Sequence, residues 1–207
     1  MFMQGFILNV NRVKDEDLIV TILTKNTIET LYRFYGARHG AINIGFKIDF
    51  EVEHSAKSSI GRLKDVLHLG YKWINDFNSL KLWQEFVKLF FKHLKDTNEI
   101  DEFYFNLLDR SASLWHMQNP KRVALEAYIE LLEYEGRLHD ELFCFLCSKP
   151  IEQKVSLIRA FLPTHKDCSF RFEIDKSSFL ELVKNNSTLF LEDSEVDMLW
   201  LVLQEGL

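Results

Sequence analysis

Apolar residues recur at every second position through the first quarter of the chain. Gly5-Phe6-Ile7-Leu8-Asn9-Val10 alternates apolar with small or polar residues, and Phe46-Lys47-Ile48-Asp49-Phe50-Glu51-Val52-Glu53 does so with one polar face. Between them, Leu18-Ile19-Val20-Thr21-Ile22-Leu23-Thr24 is β-branched and follows the acidic turn Asp15-Glu16-Asp17, and Ile28 to Tyr35 alternates again. A period of two marks strands with one buried face. Gly36, Gly40 and Gly45 punctuate the turn before the last strand. Short strands at roughly ten-residue spacing predict a small barrel, whose closure removes the edges that a short β-domain exposes.

After about residue 70 the period lengthens to that of helices. Trp83, Phe86, Val87, Phe90 and Leu94 recur at three- and four-residue steps, as do Phe103, Leu107, Leu108 and Leu114. Residues 119–136 form the clearest helix: Asn119 is an N-cap, Pro120 fits the first turn, and Gly136 is a stop. An extended run is expected over 155–161, and two short helices near 176–184 and 193–204. The fold class is therefore α+β. The expected division is a barrel over 1–72, a helical domain over 73–140, a cysteine module over 141–172, and C-terminal helices over 173–207 that pack on the helical domain.

The cysteine module has the most specific spacing in the chain. Cys144-Phe-Leu-Cys147 and His165-Lys-Asp-Cys168 are separated by seventeen residues, long enough to fold back and close a tetrahedral site. Thiolates with one imidazole suit structural Zn2+, and four protein ligands leave no open position for a catalytic water. Cysteine is also a common core residue, and Ser148-Lys149 stands where such a knuckle usually has glycine. Three cysteines, an odd number, and no secretory leader point away from a disulfide framework and toward a cytoplasmic protein. No apolar run is long enough to span a bilayer.

The net charge of −6 is unevenly distributed. Residues 1–75 hold ten Lys/Arg against eight Asp/Glu, and the remainder holds fifteen against twenty-three. A basic face at the N-terminus is therefore compatible with an acidic body. Arg33-Phe34-Tyr35-Gly36-Ala37-Arg38-His39 interleaves cations with aromatics, a mixture suited to single strands, where cations follow phosphates and rings stack on bases. Taken alone, the cluster is more simply a solvated strand pair with two core aromatics. No phosphate-binding loop, dinucleotide fingerprint, nucleophile elbow or metalloprotease motif is present, and no enzyme or small-molecule substrate is indicated.

The order of these elements resembles the bacterial RecO family of DNA repair proteins. The resemblance rests on Gly5-Phe-Ile-Leu, on Asp15-Glu-Asp-Leu-Ile-Val-Thr-Ile-Leu-Thr24, on Tyr35-Gly-Ala-Arg38, and on Glu135-Gly136 leading into the cysteine module, spanning about residues 4–170. It implies an N-terminal OB-fold, an α-helical middle domain and a zinc-finger-like insert. It also implies a non-enzymatic recombination mediator that binds single- and double-stranded DNA and anneals complementary strands. Such a mediator acts with RecR to load RecA on DNA coated by single-strand-binding protein, another possible partner. Matching the Gly-Ala-Arg signature makes Arg38 the first phosphate contact. Arg33, Lys47, Lys57 and Arg62 are nominated by charge and location. Tyr35 stands where a lysine is common and adds a stacking ring, and His165 stands where many members have cysteine. The competing reading is a zinc-stabilised protein-interaction adaptor with degenerate DNA binding.

Overall fold

The inward positions of the alternating segments meet inside a closed barrel. The structure, a computed structural model, describes residues 3–38, 40–56 and 58–206. Strands β1 (Met3–Arg12), β2 (Leu18–Leu23), β3 (Ile28–Arg33), β4 (Lys47–Glu53) and β5 (Arg62–His68) are ordered β1-β2-β3-β5-β4, and β4 closes on β1. Every ladder is antiparallel except β3 with β5. This is an OB-like barrel. Ile7, Val20, Ile22, Leu31, Ile48, Phe50 and Leu63 fill its interior. A Cβ at Gly5 would lie 2.4 Å from Ile22 Cγ2, so glycine is what allows β1 to approach β2 here.

The alternation did not reveal β5, for a physical reason. Only Leu63 in it is fully buried, Asp65 takes φ +46°, and the β4–β5 register shifts between Asp49 and Glu51. A bulge of this kind breaks the period-two signal.

Two helices share the barrel's unit, which spans Met1–His116. They are α1 (Phe77–Leu94), capped by Asp76 accepting from the Ser79 N–H at 2.7 Å, and α2 (Phe103–Leu114). The outward ring of Phe6 on β1 meets Trp83 and Phe105 at centroid separations of 6.2 and 5.4 Å. Trp83 in turn meets Trp115 at 5.0 Å and Trp73 at 5.5 Å. Each buried indole N–H has an acceptor: Gly45 O for Trp83, Ala112 O for Trp73 and Ser79 O for Trp115. The aromatic richness of the sequence is thus a layer that fixes the helices to one side of the barrel.

The second unit spans Met117–Leu207 and begins with α3 (Pro120–Tyr134). Asn119 caps α3 by accepting from the Lys121 N–H, and Gly136 ends it at φ +66°. Strands β6 (Lys154–Ile158), β7 (Leu162–Thr164) and β8 (Glu173–Asp175) form a sheet in the order β7-β6-β8. The expected extended run stops at Ile158, because Ala160 and Phe161 take positive φ and turn the chain back into β7. Helices α4 (Lys166–Ser169), α5 (Lys176–Asn185) and α6 (Asp193–Leu203) complete the unit. Arg122 of α3 reaches Leu191 O and Asp193 Oδ1, both at 2.8 Å, and the Tyr128 hydroxyl donates to Gly206 O at 2.9 Å. No described helix is long and apolar enough to cross a membrane.

Candidate metal centre and nucleic-acid interface

Two tight turns build the cysteine site. In the first, the Cys144 N–H donates to Lys149 O at 2.9 Å and the Ser148 N–H to Cys144 O at 2.8 Å. Ser148 takes φ +58°, the conformation for which such knuckles ordinarily use glycine. In the second, His165 precedes α4, and the N–H groups of Cys168 and Ser169 both donate to its carbonyl at 3.1 Å. The Phe145 N–H donates to Pro163 O at 2.8 Å and ties the two turns together.

Cys144, Cys147, His165 and Cys168 converge, with their ligand atoms all within 4.8 Å of one another. His165 Nδ1 is 3.4 Å from Cys147 Sγ and 3.9 Å from Cys168 Sγ. Tetrahedral zinc bonds would separate such atoms by about 3.5–3.8 Å. On the far side of the ring, His165 Nε2 lies 3.0 Å from Pro150 O. A proton on Nε2 satisfies that carbonyl and leaves the Nδ1 lone pair facing the sulfurs, the usual way an outer partner orients a ligating imidazole. These residues fit a metal ion. Among the described residues they are the one His/Cys/Asp/Glu cluster that could hold one.

The electrostatics of the site agree with that chemistry. Burial raises the Cys144 thiol, but hydrogen bonds from the backbone N–H groups of His165, Cys147 and Leu146 outweigh it and lower the pKa to about 6. Burial and the neighbouring Cys147 and Cys144 sulfurs push Cys168 up to about 11. The Pro150 carbonyl, then the Cys147 sulfur, raise His165. Several electron-rich ligands compete for too few protons, and a divalent cation removes that conflict.

The sequence-nominated cations of the barrel fall into different environments. Arg38 pairs with Glu16 and lies over the Tyr35 ring at 5.3 Å. Arg62 pairs with Glu53 at 3.7 Å and lies over the Phe34 ring at 5.1 Å, and Phe34 meets Tyr32 at 4.8 Å. The Tyr32 hydroxyl and the Tyr35 N–H both donate to the Asp17 carboxylate, at 2.5 and 2.7 Å. These bonds, the Tyr32 hydroxyl first, hold Asp17 below its ordinary value, and the same bond raises Tyr32. The Ala37 N–H donates to Glu16 O at 2.9 Å. The acidic turn is therefore a clamp on the Gly-Ala-Arg loop. Arg38, Tyr35, Tyr32, Phe34 and Arg62 form one connected cation–aromatic rim, with Phe34 and Tyr35 exposed.

Arg33 and Lys47 stand apart from this rim. Arg33 follows Leu31 by two residues, so it shares Leu31's side of β3, and its guanidinium donates to Leu63 O at 2.9 Å. Lys47 donates to Asp109 Oδ1 at 2.6 Å, with only 14% of its side chain exposed. It sits at the other end of the β4–β5 ladder from Glu53 and Arg62, roughly 20 Å away along the strands. Lys57 lies outside the described residues. Sequence reasoning placed Phe34 in the cation–aromatic cluster without nominating it singly, and missed Tyr32; the odd–even alternation past Leu31 was the available signal. Gly36 has a steric role in the signature: a Cβ there would lie 2.8 Å from Leu18 Cδ1 and from Arg33 Cγ.

Comparison with known proteins agrees with the barrel. Residues 3–74 match the family model described as RecO N terminal. No curated protein matches the chain.

Proposed function

We propose that this chain, whose residues 3–74 match the RecO N-terminal model, is a RecO-type, non-enzymatic mediator of DNA repair and recombination that binds single- and double-stranded DNA and anneals complementary strands. The observation that carries this reading is the cation–aromatic rim. Arg38 and Arg62 can take phosphates while Phe34 and Tyr35 stack on exposed bases. Two strands held along such a rim have their phosphates partly neutralised, which lowers their repulsion while bases find partners. The N-terminal match to the family supports RecR as the partner, RecA loading as the outcome, single-strand-binding protein as a further contact, and a cytoplasmic, nucleoid-associated location.

The metal we assign to Cys144, Cys147, His165 and Cys168 is structural Zn2+, because three thiols and one imidazole in a closed tetrahedral set suit zinc. It would pin the two turns and leave DNA to the barrel. Metal analysis of purified protein should return one zinc per chain; protein without zinc whose melting is indifferent to chelator refutes the assignment.

Fluorescence anisotropy with labelled single-stranded and duplex DNA across a salt series tests the function. Binding should weaken steeply with salt, and Arg38→Ala or Arg62→Ala should each reduce the magnitude of the logarithmic slope by about 1. Unaltered affinity, slope and annealing in the double variant would refute the rim. A second reading, a zinc-stabilised adaptor with degenerate DNA binding, is favoured by one observation: Glu16 and Glu53 already pair with Arg38 and Arg62. Flat titrations at low salt with retained RecR binding would select it.

A further inference from the structure

A cavity of about 360 Å3 opens beside the Gly-Ala-Arg loop. Val10, Leu18, Ala37 and Ile42 contribute apolar side chains, while Arg12, Asn43 and backbone bared at Gly36 and Gly40 leave most of its exposed lining polar. Its volume is in the range of sites that enclose small ligands. Arg38 pairs with Glu16, Arg62 and Lys64 with Glu53, and Lys47 with Asp109. The Arg12 side chain, in contrast, has no hydrogen-bond or ion-pair partner among the described residues. Asn43 uses its side-chain oxygen to accept from the Ile44 N–H at 2.9 Å and from Gln84 Nε2 at 3.3 Å. Its amide N–H groups have no acceptor among the described residues and remain available to donate.

We propose that this cavity accepts one unstacked nucleobase of a single DNA strand, with Arg12 holding an adjacent phosphate. The proposal rests on the DNA-binding reading above and extends it to a subsite that the cation–aromatic rim does not include. The apolar side chains cover part of a base face, the polar lining with the free Asn43 amide can hydrogen-bond a base edge, and the Arg12 guanidinium supplies the charge complement for the backbone. A paired base cannot enter without leaving its stack, which costs a few kcal/mol. The cavity therefore discriminates between single-stranded and duplex DNA. The rim, built of phosphate contacts and open stacking rings, has no such bar.

Gly40 provides a clean test, because a Cβ there would meet nothing within 4 Å and the backbone is not in the left-handed region. Gly40→Leu adds bulk at a residue that lines the cavity, without a clash at its Cβ. In anisotropy titrations it should weaken binding to a labelled thymidine oligonucleotide about tenfold, the size of one lost base contact. Affinity for duplex, and for an oligonucleotide abasic throughout, should stay within twofold of the unsubstituted protein. Equal single-strand affinity in Gly40→Leu, or an equal loss on all three probes, would overturn the proposal. If the unsubstituted protein binds none of the probes, the DNA-binding reading itself fails, which separates the two. A measurement without substitution is NMR titration with thymidine 5′-monophosphate. Shifts should concentrate at the Gly36, Ala37 and Gly40 amides; shifts confined to Tyr32, Phe34 and Tyr35 would overturn the cavity as the base site.

Discussion

Lys47→Ala separates a structural lysine from a DNA-contacting one. Its ammonium is 2.6 Å from Asp109 Oδ1 and lies over the Phe105 and Phe6 rings at 5.3 and 5.8 Å. Asp109 also accepts from the Tyr71 hydroxyl at 3.1 Å, and burial followed by the Asp109 charge raises that tyrosine far above its ordinary value. A charge-assisted hydrogen bond contributes about 1.5–3 kcal/mol. The lower part of that range applies because 40% of the Asp109 side chain is exposed to screening solvent. With the packing of the lysine stem included, the loss is about 2 kcal/mol. For a unit of this size that corresponds to a melting shift of about 8 °C. Three of the four tryptophans, Trp73, Trp83 and Trp115, lie in the barrel's unit, so intrinsic fluorescence during urea unfolding reports on it. The midpoint should fall while the salt slope of DNA binding is unchanged. A slope reduced by about 1 with unaltered stability would show that Lys47 faces phosphate, and the reasoning would be refuted.

Three further outcomes are expected. Glu53→Gln should strengthen DNA binding at low salt, because it frees Arg62 and Lys64 of a competing carboxylate; weaker binding would mean that Glu53 orders the rim. Ser148→Gly should raise the melting temperature of the metal-loaded protein, since a left-handed residue other than glycine costs about 1 kcal/mol; a lower midpoint would contradict the φ of +58°. Asp17 has a folded pKa below its unfolded one, so its contribution to stability is complete above the ordinary carboxylate value near 3.8 and is lost as pH falls through the folded value. Acid unfolding followed below pH ~4 should therefore be blunted in Asp17→Asn, and identical acid limbs in the two proteins would exclude the clamp.

Four of the five barrel strands, the three longer helices and the Cys/His cluster could be read from the sequence because each depends on local periodicity or spacing. The shorter pieces could not: β7, β8 and α4 are three or four residues long, below the length at which a period is measurable. Charge posed a different difficulty. Lys47 reads as a polar residue on the open face of a strand, yet its partner Asp109 is 62 residues away. Asp15-Glu16-Asp17 reads as a solvated turn, but Asp17 meets Tyr32 and Tyr35, which are fifteen and eighteen residues on. Neither assignment follows from composition, because what decides it is which tertiary neighbour the barrel brings within hydrogen-bond reach.

The pre-paired rim would reconcile an acidic chain with the proposed role on DNA. A phosphate that reaches Arg38 or Arg62 does not meet a bare cation; it displaces Glu16 or Glu53. Part of the Coulomb gain is then offset by the carboxylate left behind, so affinity cannot come from these arginines alone. On the proposed reading, the remainder falls to the aromatic surfaces and to Arg12, whose side chain has no partner among the described residues. Exchange of this kind keeps the loops ordered in the absence of DNA, since Asp17 and Glu16 hold residues 35–38 through Tyr35, Ala37 and Arg38. It also keeps dissociation accessible, because each released guanidinium has a carboxylate waiting. A protein that must hold a strand, let it find its complement and then leave is served better by exchangeable contacts than by a strongly basic groove.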